Sequence, residues 1–121
     1  ERKIGKNGVG IGIFHPEAFD EYVRCFTPKT IRASCADYRA AATLDRAMDE
    51  ADFAAGRKIG CPALVLFGGG SHTGQVFDDV TAVWRDYALD VRGERLACGH
   101  YVPEHAPVEV LAWFHRFFTG A

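Results

Sequence analysis

The chain has 121 residues, with 14 Lys and Arg against 16 Asp and Glu and a net charge of −2 at pH 7 with the histidines neutral. That length admits one modest domain, and 48% hydrophobic with 25% charged residues is the balance of an ordinary globular protein. No basic stripe and no bilayer-length apolar run stand out, so neither nucleic acid nor a membrane is an expected partner. Cys25, Cys35, Cys61 and Cys98 are widely spaced with no Cys-x-x-Cys pair, which argues against a disulfide framework or a zinc site. The expectation is buried free thiols in a reducing, cytoplasmic setting. Glu1 to Lys6 lacks the apolar core of a signal peptide.

Residues 1–14 read as an irregular lead-in or an edge strand. Gly8-Val9-Gly10-Ile11-Gly12 is glycine-rich, but no strand precedes it and no helix opens directly after it, so it matches no phosphate-binding fingerprint. Residues 15–58 read as a helical, cap-like segment. Pro16 starts a helix over Glu17–Phe26, with Phe19, Tyr22, Val23 and Phe26 along one face. Thr27-Pro28 breaks it and starts a second helix, Lys29–Thr43, with Ile31, Cys35, Tyr38 and Ala42 on one side. After a junction at Leu44-Asp45, a third runs from Asp45 to Ala55 and stops at Gly56.

Residues 59–121 carry the sheet. Ala63, Leu64, Val65, Leu66 and Phe67 are apolar without a break, opened by Pro62 and closed by Gly68-Gly69-Gly70. Such a run reads as a strand buried on both faces, of the kind found inside parallel sheets. One helix is expected near Gln75–Tyr87, with Trp84 on its core face, then a weaker strand over Asp90–Cys98 interrupted by Gly93. A final helix over Pro107–Phe118 has apolar residues around much of its circumference, Trp113 among them, and is expected to be largely buried. The order strand, crossover, strand defines an α/β class with ligands at the carboxyl ends of the strands. Two strands do not make a stable covered sheet. The chain is therefore expected to be part of a larger domain or to assemble through its strand edge as a homo-oligomer.

His100 follows the second strand in Cys98-Gly99-His100-Tyr101-Val102-Pro103-Glu104, where a histidine is placed to act as a general base. On its own, a Gly-His pair also suits a structural loop. The position between strand end and helix favours the base. His105 shares the loop, but a metal pair of His100 and His105 has no further ligands to complete it, and no metal or cofactor is expected. Tyr38, in Cys35-Ala36-Asp37-Tyr38-Arg39-Ala40, either packs by its ring or offers its hydroxyl to an anion. His72 lies after the first strand and either lines the crevice or serves the loop. No Gly-x-Ser-x-Gly or Gly-x-Asp-x-Gly elbow is present, and no carboxylate follows the first strand before Asp78.

From about His15 to Phe118 the chain resembles the C-terminal half of the haloacetate dehalogenases of the α/β-hydrolase fold, the fluoroacetate dehalogenases in particular. The resemblance rests on Cys35 to Ala40, Leu44-Asp45 with Asp49 and Asp52, Cys61 to Val65, Ala82-Val83-Trp84, and Gly99-His100 with Pro103-Glu104. It implies a small haloacid substrate, an aspartate nucleophile and an orienting acid supplied from outside these residues, His100 as the water-activating base, and Tyr38 as a halide-binding donor. It also implies that the chain alone is inactive. Two other readings stand beside it: another cap-bearing hydrolase, such as an epoxide hydrolase or esterase, and a non-catalytic half-domain.

Overall fold

The structure is a computed structural model in which residues 10–120 are described. The chain divides into two compact units, Pro16–Lys58 on the one hand and Glu1–His15 with Ile59–Ala121 on the other. The expected lead-in over residues 1–14 falls largely outside the described residues.

The first unit is helical: α1 (Pro16–Cys25), α2 (Pro28–Ala41) and α3 (Leu44–Ala54). Proline opens α1 and α2, where its missing N–H costs no helical hydrogen bond. Thr27 caps α2, its hydroxyl accepting from the Thr30 amide at 3.2 Å. Beyond the end of α3, Gly56 takes a left-handed φ of 67° and returns its amide to the Phe53 carbonyl. No residue of these helices is buried. Tyr22, Phe26, Met48 and Phe53 are each about half or more exposed. The apolar faces are those the periodicity predicted, yet they enclose no core of their own.

The second unit contains the sheet. β1 (Ala63–Gly68) and β2 (Val91–Leu96) pair in parallel, in a register running from Ala63 opposite Val91 to Gly68 opposite Leu96. A bridge between Ile59 and Ala88 extends the ladder at its start. The connection carries α4 (His72–Val76) and α5 (Val80–Trp84), and α6 (Val102–His105) and α7 (Pro107–Thr119) follow β2. Leu96, Ala106 and Val110 form the buried centre, packed by Leu66, Cys98, Val102 and Trp113.

Four expectations need correction. The single helix over Gln75–Tyr87 is two short ones. Phe77 is extended, and the Asp79 carboxylate accepts from the Ala82 amide at 3.1 Å to start α5 afresh. Asp competes well with helix continuation at such a position because it satisfies an end amide. β1 is not buried on both faces: only Phe67 and Gly68 are buried, and Ala63 to Leu66 are half-buried, because the sheet has two strands among the described residues. α7 is not largely buried: Val110 is, while Leu111, Phe114 and Phe118 are exposed. Trp84 is 41% exposed rather than in the core, whereas half-buried Trp113 packs as expected and donates its indole N–H to Glu94 at 2.9 Å.

Gly93 interrupts the hydrophobic pattern of β2 for a steric reason. A Cβ there would run into the Val65 carbonyl of the paired strand. Gly93→Ala should therefore destabilise the sheet unit by about 1–3 kcal/mol, the usual cost of overpacking. Gly60→Ala, where nothing lies within 4 Å of the added Cβ, should change stability by less than about 0.5 kcal/mol. Denaturant unfolding of the two variants checks the contrast, and equal effects would remove the steric account.

Candidate active site

The two strands end side by side, and the loops after them are tied together. The Gly69 amide donates to the Leu96 carbonyl and the Gly70 amide to the Cys98 carbonyl, both at 2.9 Å. Gly68 admits the second loop because it lacks a side chain: a Cβ would collide with the Gly99 carbonyl. Buried Ser71 folds the first loop back, its hydroxyl donating to the Gly68 carbonyl at 2.6 Å and accepting the Gly74 amide at 3.1 Å. Arg95, from β2, donates to the Gly69 and Gly74 carbonyls at 3.2 Å each.

This packing leaves a groove of about 390 Å³. It follows β1 through the consecutive residues Leu64 to Gly68, and is also lined by Ser71, Thr73, Val80, Trp84, Val102 and His100. Successive strand residues face opposite sides, so a groove touching five in a row runs along the strand's edge. Its walls are mostly apolar. His100 is the titratable side chain that lines it.

His100 is exposed, with its ring edge-on to Tyr101 at 5.1 Å. Tyr101 in turn packs edge-on against buried Phe14 at 5.2 Å. The turn bearing His100 is held from both sides by His105. The Gly99 amide donates to His105 Nδ1 at 3.1 Å, and the His105 amide donates to the Tyr101 carbonyl at 2.9 Å.

Tyr38 lies on α2 in the helical unit and is 70% exposed. His72 begins α4 and is exposed. Among the described residues no group of three or more His, Cys, Asp or Glu is arranged to hold a metal ion, and no helix is long and apolar enough to cross a membrane. Sequence reasoning passed over Ser71, although a serine just before a short helix is an N-cap signal. It considered His105 only as a metal ligand. The cross-strand reach of Arg95 left no signal in the sequence.

A parallel strand pair with a helical crossover and a ligand-accessible loop at the strand ends is an α/β arrangement, and the solved structures it resembles show that this chain has part of an α/β-hydrolase fold. It is 45% identical to an α/β hydrolase of known structure from Nostoc sp PCC 7120, with a TM-score of 0.86 over 99% of this chain and 40% of that one. It is 31% identical over 119 residues to a fluoroacetate dehalogenase of Burkholderia sp, covering 98% of this chain and 38% of the relative. It is 35% identical over 109 residues to a soluble epoxide hydrolase of Corynebacterium sp., covering 88% and 35% respectively. The chain thus spans well under half the length of these relatives. No family model matches it.

The expectation of four buried thiols is also corrected: Cys25, Cys35 and Cys61 are exposed, and Cys98 is half-buried. Burial, and then the negative charge of Glu109, push the Cys98 thiol above its usual range. Both causes disfavour the thiolate, the form that reacts. Cys98 should be the slowest of the four to be alkylated near neutral pH, with its rate–pH profile displaced to the alkaline side. Peptide mapping after timed iodoacetamide labelling measures this, and early labelling of Cys98 would contradict it.

Proposed function

We propose that this chain is the C-terminal part of a haloacetate dehalogenase-like hydrolase whose carboxylate nucleophile is supplied from outside these residues. The observation that carries the reading is the exposed His100 on the groove, in a Gly-His turn at the carboxyl ends of parallel strands. The likeness to the fluoroacetate dehalogenase over nearly the whole chain supports it.

On this reading an aspartate attacks the carbon bearing the halogen. The carbon–halogen bond breaks, halide departs, and an ester to the enzyme forms. His100 then takes a proton from water, which attacks the ester carbonyl, releases the hydroxy acid and restores the carboxylate. Tyr38 donates its phenol O–H to the departing halide. A second reading, an epoxide hydrolase, draws on the Corynebacterium relative. It keeps the same role for His100 and gives Tyr38 another task.

The isolated chain should release no fluoride from fluoroacetate, as measured with a fluoride electrode. With a nucleophile-bearing N-terminal half co-expressed, His100→Ala should release one halide per site and then stop, leaving an ester that intact-protein mass spectrometry detects. Tyr38→Phe should instead slow the first step by roughly 10–1,000-fold, the usual loss for one preorganised donor, and more for fluoride than for chloride. Turnover by His100→Ala at the parent rate would remove His100 from the mechanism. Equal slowing of both halides by Tyr38→Phe would remove Tyr38 from the halide-binding role.

Assembly belongs to the same proposal. β1 pairs on one side only among the described residues, and an apolar strand with an open edge recruits another strand. Expressed alone, the chain should be a homo-oligomer, most simply a two-fold dimer. A monodisperse monomer in light scattering would overturn that expectation.

A further inference from the structure

We propose that His105 is a positioning residue for His100, its neutral imidazole serving as the hydrogen-bond acceptor that sets the Gly99–His100–Tyr101 turn. This rests on the reading of His100 as the base and adds to it the group that holds the base in place.

The geometry is a bracket. Residue 105 is bonded to the residue before His100 through its side chain, by the Gly99 amide to Nδ1 at 3.1 Å. It is bonded to the residue after His100 through its backbone, by its own amide to the Tyr101 carbonyl at 2.9 Å. The backbone bond is the ordinary closure of a short helical turn and needs no particular side chain. The bond from Gly99 does. Gly99 is half-buried, so its amide needs a partner within the fold. His105 supplies one from six residues away, which fixes where the chain turns between the two.

The same geometry argues against a direct chemical role for His105. Its Nδ1 lone pair is occupied, and the ring is absent from the groove that His100 lines. It also defines the protonation state: an Nδ1 that accepts carries no proton, so the ring is the Nε2–H tautomer. A ring protonated at Nδ1 cannot accept, so the bond to Gly99 requires the neutral imidazole. The titratable neighbours are few. Glu104 shares α6, and Cys98, His100 and Tyr101 lie in the turn. Of the elements packed on α6, α7 brings Glu109 in its first turn together with His115 and Arg116, and β1 carries no titratable side chain.

The test is nitrogen-15 NMR on the whole chain and needs neither nucleophile nor substrate, so its outcome is separate from that of the hydrolase proposal. Long-range ring correlations should show His105 as the Nε2–H tautomer, with the Gly99 amide shift following the His105 titration. His105→Leu should speed exchange of the Gly99 amide by about tenfold, as expected for losing one hydrogen bond, and should shift the His100 ring signals. His105→Asn, whose side-chain oxygen lies near the place of Nδ1 and does not titrate, should restore both and abolish the pH dependence at Gly99. An Nδ1–H tautomer, or a Gly99 amide indifferent to the His105 titration in the parent chain, overturns the proposal. So do unchanged His100 ring signals in His105→Leu, which would reduce the bond to a purely structural one.

Discussion

The contact on which the sheet unit depends is the approach of two backbones at the strand ends, where Gly68 meets the carbonyl of Gly99. The ladder between β1 and β2 fixes the strands in register, but it stops at Gly68 and Leu96. Beyond that point the chains would be free to part. They are instead joined by the Gly69 and Gly70 amides, which reach the carbonyls of Leu96 and Cys98. Only a residue without a Cβ lets the second loop come that close. The position of His100 is thus a consequence of Gly68, Gly69 and Gly70, about thirty residues earlier in the chain.

Around that contact the supporting bonds run mostly from side chain to backbone. Ser71 and Arg95 tie down the first loop, and His105 ties down the second. Loops that carry chemistry must hold a shape without a ladder, and buried or half-buried amides and carbonyls in them need partners. Here Arg95 is brought within reach by the pairing of the two strands, while Ser71 and His105 act from a few residues away on the groups they bond. The result is a firm rim around a mostly apolar groove, with His100 projecting from the rim.

The rest of the molecule is short of core. Leu96, Ala106 and Val110 are the buried centre of the sheet unit, and no residue of α1, α2 or α3 is buried. Burial of apolar surface is the main driving force of folding, at about 25 cal/mol per Å². Faces bearing Phe26, Met48, Phe53, Leu111 and Phe118 contribute little of it while exposed. Periodicity that fits a core, in a chain that does not fill one, agrees with coverage of roughly two-fifths of the related hydrolase from Nostoc.

Much of this was legible from residues alone. An unbroken apolar run between Pro62 and three glycines marks a short strand, though not one buried on both faces, and Gly56, Thr27-Pro28 and Pro16 mark helix ends through backbone chemistry that acts locally. The Gly-His turn after a second strand located the candidate base for the same reason: strand, turn and helix are set by near neighbours. What depended on distant residues could not be read that way. The break between α4 and α5 is local, but Asp79 capping the Ala82 amide competes closely with one longer helix, so the pattern alone did not decide it. The need for glycine at 93 lies in the carbonyl of Val65, and the need for glycine at 68 in that of Gly99. The partner of the Gly99 amide is a histidine ring that the sequence suggested only as a metal ligand lacking partners. Local propensity set the elements of this chain. Which atoms meet at the ends of its strands was decided only when β1 and β2 paired, because parallel strands bring together residues that no local pattern connects.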